Sequence, residues 1–435
     1  RRPAAAVIVR LGAEPARQPP PHLPFSASAL PGVAETLVVA RMHDVAYRQP
    51  ALRLAHAAEA ALISTTRWQP AGSDGQVDGG LGGPPPPWLV PFAACCASRA
   101  AREKAAVAKG AGVPGLGEGI DAFLAKGLPD LACRVAAVEP LLDAVAPRRI
   151  LVFAGRDAVA RAVVLAGRRR GIATIDVQVV LQSAHPRYRR SLAHVFCALT
   201  EEQGRMYSGR FHTQHQRVIR LGSLRMPEIR AQFDAAGRDA ARGEAGLGEI
   251  AGRVVLVATQ PGFDAQAQAC LGAVLSAAAA ARPGGGVIIK PHPKEDTAFY
   301  ARIIAAFPAA AARVAAPDSS TPRLLKAVDG VVTYCSNVGI EAAVLGLPVV
   351  AVNLSGRPYA ADLAAMGVAI GVESGEALAE AVKAILSGGI GATGKDFLSS
   401  NPEFLSDPLY RLLGLADELA QDLQALPPPN FAPFD

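Results

Sequence analysis

Aromatic residues are scarce in this chain: Phe, Trp and Tyr make up 5% of 435 residues, with 2 Trp among them. The basic stretches Arg168–Arg170 and "RYRR" (187–190) hold one aromatic residue between them, Tyr188, too little stacking surface to argue for nucleic acid. Cysteine is sparse too. Cys95, Cys96, Cys133, Cys197, Cys270 and Cys335 are scattered without a CxxC spacing. That excludes a zinc knuckle or a disulfide framework and fits reduced thiols in the cytoplasm. No apolar run reaches the length of about 18 residues that a membrane span needs. The opening "RRPAAAVIVRLGAEP" holds too short an apolar core for a secretion signal and reads as a strand, "AAVIVRLG". There is no P-loop. Asp-x-Asp is absent as well, so neither a metal gripping a diphosphate nor a resident cofactor is expected. Only 19% of residues are charged against 50% hydrophobic, a compact composition rather than a disordered one. The net charge of +6 and a pI of about 9.1 are compatible with anionic ligands or peripheral contact with a membrane face.

At this length two domains are expected. Strands are predicted near 5–10 and 36–40, followed by a helix over "ALRLAHAAEAALIS" (51–64). Residues 69–87, "QPAGSDGQVDGGLGGPPPP", read as a Gly/Pro-rich loop. Helical patterns cover 91–108 and 129–145. A βαβ unit follows: "RRILVFAG" (148–155), a helix over 156–171 with basic residues at its C-terminal end, and "ATIDVQVVLQ" (173–182). "RVIRLG" (217–222) looks like the last strand of this half. Charged, Gly-rich residues 227–252 mark the boundary. The second half alternates strands and helices again: "RVVLVATQ", "GVIIKPHP", "AARVAAP", "DGVVTYC" and "LPVVAVN" are its strands. In "TPRLLKAV" Thr321 is the expected N-cap and Pro322 the first helical residue. The alternation predicts an α/β protein of two Rossmann-like doubly wound domains with a cleft between them. A first domain is placed over 1–235 and a second over 250–405. A C-terminal helix and tail over 406–435 are expected to pack back on the first.

Two motifs sit where strands of the second half end, the edge at which doubly wound sheets bind ligands. In "GVIIKPHPKED" (286–296) a buried strand runs into Lys290 and then His292, held between prolines. Both side chains are suited to donate to phosphate oxygens; a stiff turn is the plain alternative. In "VVTYCSNVGIEAAVLGLPVV" (331–350) a strand leads to Ser336 and Asn337, and a helix begins that carries Glu341. A helix N-terminus offers unpaired N–H groups to a phosphate. Ser336 is then a phosphate ligand or an ordinary cap, and Glu341 a partner for a ribose diol or for the helix dipole. Gln260, closing the strand "RVVLVATQ", joins the donor-binding candidates.

These segments resemble the C-terminal half of GT-B glycosyltransferases. They are most similar to the bacterial capsule and surface polysaccharide synthesis group, which includes Kdo and sialic-acid transferases and relatives of the CDP-glycerol polymerases. In those families an HP motif and a Ser-containing turn hold the donor phosphate and a Glu downstream helps hold the nucleotide. The resemblance places these roles on His292, on Ser336 with Asn337, and on Glu341. The second Ser of the family is Asn337 in this chain. The first half follows the usual order less closely: "IATIDVQVVLQSAHPRYRRSLAHVFCALTEEQGRMY" runs on to a G-S-x-R end at 222–225, with "QSAHP" where many relatives have Gln-His-Gly. The resemblance spans about residues 148–390. It implies a metal-independent transferase moving a sugar from a nucleotide donor, a CMP-linked acid sugar first, to a hydroxyl of a surface glycan, glycolipid or protein. The catalytic base should come from the first half. Its candidates are Glu118 in "GLGEGID", Asp157 after the "VFAG" strand, and His185, with His43 and Asp44 behind them. Glu118 is similar to the acidic-Gly base motif of some sialyltransferases, a three-residue match that also arises by chance; Asp157 also suits helix capping or first-turn dipole pairing. No second Glu stands eight residues from Glu341, so the E-x7-E pattern of one large retaining group is missing. Two rivals stay open: a UDP-sugar 2-epimerase of the same fold, and a non-catalytic nucleotide-binding subunit of a polysaccharide complex.

Overall fold

The computed structural model describes residues 8–11, 34–40, 45–64, 76–79, 89–108, 116–122, 124, 128–153, 158–181, 190–211, 216–261, 264–281, 284–316, 319–356 and 361–425. The first half contributes β1 (Ile8–Leu11), β2 (Thr36–Ala40), α1 (Val45–Ala57), β3 (Ala61–Ser64), β4 (Gln76–Gly79), α2 (Leu89–Ala108), α3 (Leu116–Ala122), α4 (Leu128–Val145), β5 (Arg149–Phe153), α5 (Ala158–Arg169), β6 (Ala173–Val177), β7 (Val195–Ala198), α6 (Glu201–Phe211) and β8 (Arg217–Arg220). Its strands form a parallel sheet in the order β4-β1-β3-β2-β5-β6-β7-β8.

Two helices, α7 (Met226–Ala235) and α8 (Arg238–Glu244), lead into the second sheet. There follow β9 (Val254–Ala258), α9 (Asp264–Ala280), β10 (Gly286–Lys290), α10 (Thr297–Ala305), β11 (Ala311–Val314), α11 (Thr321–Ala327), β12 (Gly330–Thr333), α12 (Asn337–Val344), β13 (Val349–Val352), β14 (Ile370–Val372), α13 (Gly375–Ser387) and α14 (Lys395–Ser400). The last helix is α15 (Leu409–Gln424). The second sheet is parallel in the order β11-β10-β9-β12-β13-β14.

Strands this apolar arise because both faces of each sheet are covered. In β9, Val254 and Leu256 enter a core shared with α11 and α12, while Val255 and Val257 enter one shared with α9 and α13. In β5, Leu151 and Phe153 pack with α1 and α15, and Ile150 and Val152 with α4 and α5. The period of two along a strand thus sorts one continuous apolar run into two cores. The fold is α/β with two Rossmann-like doubly wound sheets, as the sequence predicts.

Several local expectations are corrected. "ALIS" is not the end of a helix: Ala61–Ser64 pairs with β1 on one side and β2 on the other. The helix before it starts earlier, at Val45, and runs through Pro50. The Gly/Pro-rich loop contains a strand, because Gln76–Gly79 pairs with β1. At α11 the N-cap is Ser320 and Thr321 is already helical, a shift of one residue. The edge strand β14 has no counterpart in the sequence reading.

The chain crosses between the halves twice. Met226 and Ile229 of α7 lie in the core of the second half, where α7 and α8 pack on α11. Coming back, Asn401 Oδ1 accepts from the Glu201 backbone N–H at 3.0 Å. Arg220 Nε donates to Glu403 at 2.7 Å. Then α15 lies on the first sheet, with Leu409, Leu412, Leu415 and Ala416 in its core. Ion pairs Arg149–Asp417 and Arg217–Glu418 hold its outer side.

Candidate functional site

In the second sheet β9 is followed by β10 on one side, and the chain later returns to place β12 on the other. The order reverses between β9 and β12, and a crevice opens beyond their carboxyl ends at such a switch point. Gln260 follows β9, Lys290 ends β10 with His292 just beyond it, and Ser336 and Asn337 follow β12. Three adjacent strand ends thus bring together the residues that the sequence placed apart.

Each is held by an identifiable contact. Gln260 Oε1 accepts from the backbone N–H of Cys335 at 2.9 Å and from its thiol at 3.2 Å. Its oxygen therefore ties the β9 end to the β12 turn. The Lys290 ammonium, half-buried, donates to the Ser319 carbonyl at 3.4 Å. Burial lowers its pKa, opposed by the negative charge of Glu341. His292 Nδ1 accepts from the Lys294 backbone N–H at 3.2 Å, which in the neutral ring puts the proton on Nε2. Ser336 is the N-cap of α12, its Oγ accepting from the Val338 N–H at 3.3 Å.

Glu295 was not singled out by sequence reasoning, yet it fixes the Pro-His-Pro turn. Its Oε2 accepts from the Thr259 hydroxyl at 2.6 Å and from the His292 N–H at 2.7 Å; its Oε1 accepts from Tyr300 OH at 2.7 Å. The turn is stiffened by this carboxylate as well as by its prolines. The available signal was an acid three residues after His292, the spacing of a turn that folds back on itself.

The carboxyl ends of the first sheet face α12. Leu181, beyond β6, donates its N–H to Asn337 Oδ1 at 3.0 Å. Arg225, beyond β8, donates Nη1 to Glu341 Oε1 at 2.8 Å. Asn337 and Glu341 are one turn apart on one face of α12. Ser223, Arg225, Met226, Asn337, Ile340 and Glu341 line a cavity at this junction. Glu341 is 5% exposed, and its Oε2 has no hydrogen-bond partner among the described residues. Burial raises its pKa, against the pull of Arg225 and then Lys290. Arg225 ends the G-S-x-R stretch, and only the contact across the halves gives it a role.

Of the base candidates, Glu118 is exposed in the first turn of α3, a short helix packed on α2. Asp157 and His185, with His43 and Asp44, lie outside the described residues. The basic cluster is partly engaged in structure: Arg168 donates to the Leu192 carbonyl at 2.8 Å, and Arg170 pairs with Asp143 and Glu139. Among the described residues no helix is long and apolar enough to cross a membrane.

Comparison with known proteins sets this arrangement among relatives. Three solved structures align over nearly their whole lengths. One is UDP-GlcNAc 2-epimerase from Neisseria meningitidis bound to UDP-GlcNAc: 14% identity, TM-score 0.52, covering 90% of this chain and 100% of that one. The UDP-GlcNAc 2-epimerase from Methanocaldococcus jannaschii is 12% identical with a TM-score of 0.54, covering 87% and 99%. A UDP-N-acetylglucosamine 2-epimerase assigned as such in Listeria monocytogenes is 12% identical with a TM-score of 0.56, covering 91% and 99%. At these identities the likeness is one of fold. A search among curated proteins found no match. Residues 255–360 match the family model described as capsule polysaccharide biosynthesis protein. The chain therefore has the two-sheet fold called GT-B, and the segment from β9 to just past β13, which carries the candidate site, is similar to capsule polysaccharide biosynthesis proteins.

Proposed function

We propose that this chain is a GT-B glycosyltransferase of surface polysaccharide synthesis. It moves a sugar from a nucleotide-activated donor to a hydroxyl of a glycan, glycolipid or protein. The observation that carries the reading is the convergence at the switch point of the second sheet: Lys290, His292 and the capped start of α12, from which Asn337 and Glu341 bond to Leu181 and Arg225 beyond the first sheet's strands.

The chemistry follows from where charge moves. An acceptor hydroxyl oxygen bonds to the anomeric carbon as the bond from that carbon to the nucleotide phosphate oxygen breaks. Negative charge grows on the departing phosphate. The α12 N-terminus, the Lys290 ammonium, the His292 ring and the Asn337 amide are suited to stabilise it there. Ser336 accepts from Val338 through a lone pair, so its own O–H proton can be given to a phosphate oxygen. The hydroxyl proton goes to a base on the first half, for which Asp157, Glu118 and His185 are the residues to vary. Closing the halves over the donor excludes water and limits hydrolysis. In this reading the second half holds the donor and the first half the acceptor, at a cytoplasmic site. A CMP-linked acid sugar is the first donor to try.

A thermal-shift panel of CMP, CDP, UDP, UMP and GDP tests the reading. A ligand bound only by the native state, at a hundredfold excess over its dissociation constant, stabilises by about 2.7 kcal/mol. The expected result is a shift selective for one base, abolished by His292→Ala. No shift with any nucleotide would sink the proposal.

A second reading has its own support, because the aligned epimerases share this fold over 90% and 87% of this chain. Incubation with UDP-GlcNAc and no acceptor separates the two. Sugar inversion at C2 without an acceptor identifies an epimerase, whereas a transferase leaves the donor sugar unchanged.

A further inference from the structure

The cleft contains one costly feature. Glu341 is a 95%-buried carboxylate in which Oε1 is paired to Arg225 at 2.8 Å, while Oε2 has no partner among the described residues. A buried acceptor left unpaired opposes folding, so such an atom marks a place where a donor is meant to arrive. Among the described residues two other carboxylates have an unpaired buried oxygen, Glu202 and Glu403. Neither lines the junction cavity.

Position supports the same point. Glu341 stands one turn into α12, on the face that also carries Asn337, and the Asn337 oxygen is bonded to Leu181 of the first half. Its partner Arg225 comes from beyond β8 of the first sheet. Arg225, Ser223, Asn337 and Glu341 line one cavity, next to the helix N-terminus that the nucleotide phosphate would occupy. We infer that Arg225 is a positioning residue of the nucleotide site. By holding Oε1 of Glu341 it presents Oε2 to a vicinal diol of the ribose type, so that both halves read the nucleotide together. The inference rests on the nucleotide-binding reading above.

Arg225 has a second effect through charge. Burial favours the protonated form of Glu341, and Arg225 and Lys290 are the charged groups that oppose it. A protonated carboxyl has less acceptor capacity for two hydroxyls. Without Arg225 the carboxyl protonates at higher pH. Nucleotide affinity, carried by the ionised form, is then lost at a higher pH than in wild type.

The experiment is calorimetric titration of UDP and CMP, and of their 2′,3′-dideoxy forms, into wild type, Arg225→Gln, Arg225→Lys, Glu341→Gln and the double variant Arg225→Gln/Glu341→Gln. Removing the hydroxyls should weaken binding to wild type about tenfold, the worth of one charge-assisted hydrogen bond. Arg225→Gln should weaken the ribonucleotide by a similar factor and leave the dideoxy form unchanged. The double variant should bind no more weakly than Glu341→Gln alone, and Arg225→Lys should recover part of the loss. As the pH is lowered, affinity should fall at a higher pH in Arg225→Gln than in wild type. A merely structural Arg225 would weaken ribo and dideoxy ligands alike; that result, or no effect on either, overturns the inference. If wild type binds no nucleotide, the function proposed above fails and takes this inference with it. If it binds and His292→Ala abolishes binding while the Arg225 pattern is absent, only the inference fails.

Discussion

At the scale of single residues, imidazoles show how far environment overrides residue type. His194 precedes β7 and is locked to Thr174 of β6. The Thr174 N–H donates to Nδ1 at 3.2 Å, the Thr174 hydroxyl lies 2.8 Å from the same nitrogen, and the His194 N–H donates to that hydroxyl at 3.1 Å. Burial, with Arg168 nearby, lowers its pKa from 6.5 to about 4. The ring stays neutral in the native state and charges more readily in the unfolded chain. Its contribution is therefore complete above about pH 6.5 and is lost as the pH falls towards 4. After discounting for partial exposure the loss is on the order of 2 kcal/mol. Urea unfolding of wild type should register that decline, and His194→Asn, whose side-chain oxygen replaces Nδ1 as acceptor, should remove it. An equal decline in the variant would assign the titration to another group. His292 was legible in the sequence because prolines bracket it at a strand end. Arg225 and Glu295 were not: each acts through a partner brought close by folding, and no local pattern encodes that.

At the scale of elements, close packing of backbones decides where glycine is needed. A Cβ on Gly252, just before β9, would lie 1.8 Å from the Gly284 carbonyl oxygen, a backbone atom that cannot step aside. Within α9, a Cβ on Gly272 would meet only the tip of the Phe307 ring at 3.6 Å, an ordinary contact. Gly252→Ala should destabilise by more than about 2 kcal/mol. Gly272→Ala should stabilise by about 0.5–1 kcal/mol, through helix propensity and a less flexible unfolded chain. Chemical denaturation of the two variants checks both signs, and equal signs would refute the contrast. The strands of the second half were legible because a parallel strand covered on both faces is a plain apolar run between turn residues. "ALIS" was not, because a short apolar run after a helical pattern fits either state until its neighbours are known. Pairing with β1 and β2 settles it.

For the whole molecule, α15 ties the segment that follows the second sheet back to the first sheet. Leu412 is fully buried beneath it, among residues of β2, β5 and β6. Leu412→Ala should cost about 2–5 kcal/mol, through lost burial and the cavity left behind. Hydrogen exchange should then speed up in the first sheet more than in the second; uniform loss of protection would mean that the halves unfold as one unit. The sequence by itself determined the α/β class, the alternation of the second half and the strand ends that carry Lys290, His292 and Ser336, since each is written in a few neighbouring residues. It also held the resemblance to GT-B enzymes, carried by two short motifs. Tertiary structure alone decided the order of strands, which half α7 packs on, and the meeting of Arg225 with Glu341 across the cleft. The reason is physical: periodicity and turn chemistry act over a few residues, whereas a sheet neighbour or an ion pair between halves is selected by burial and charge among segments far apart in the chain.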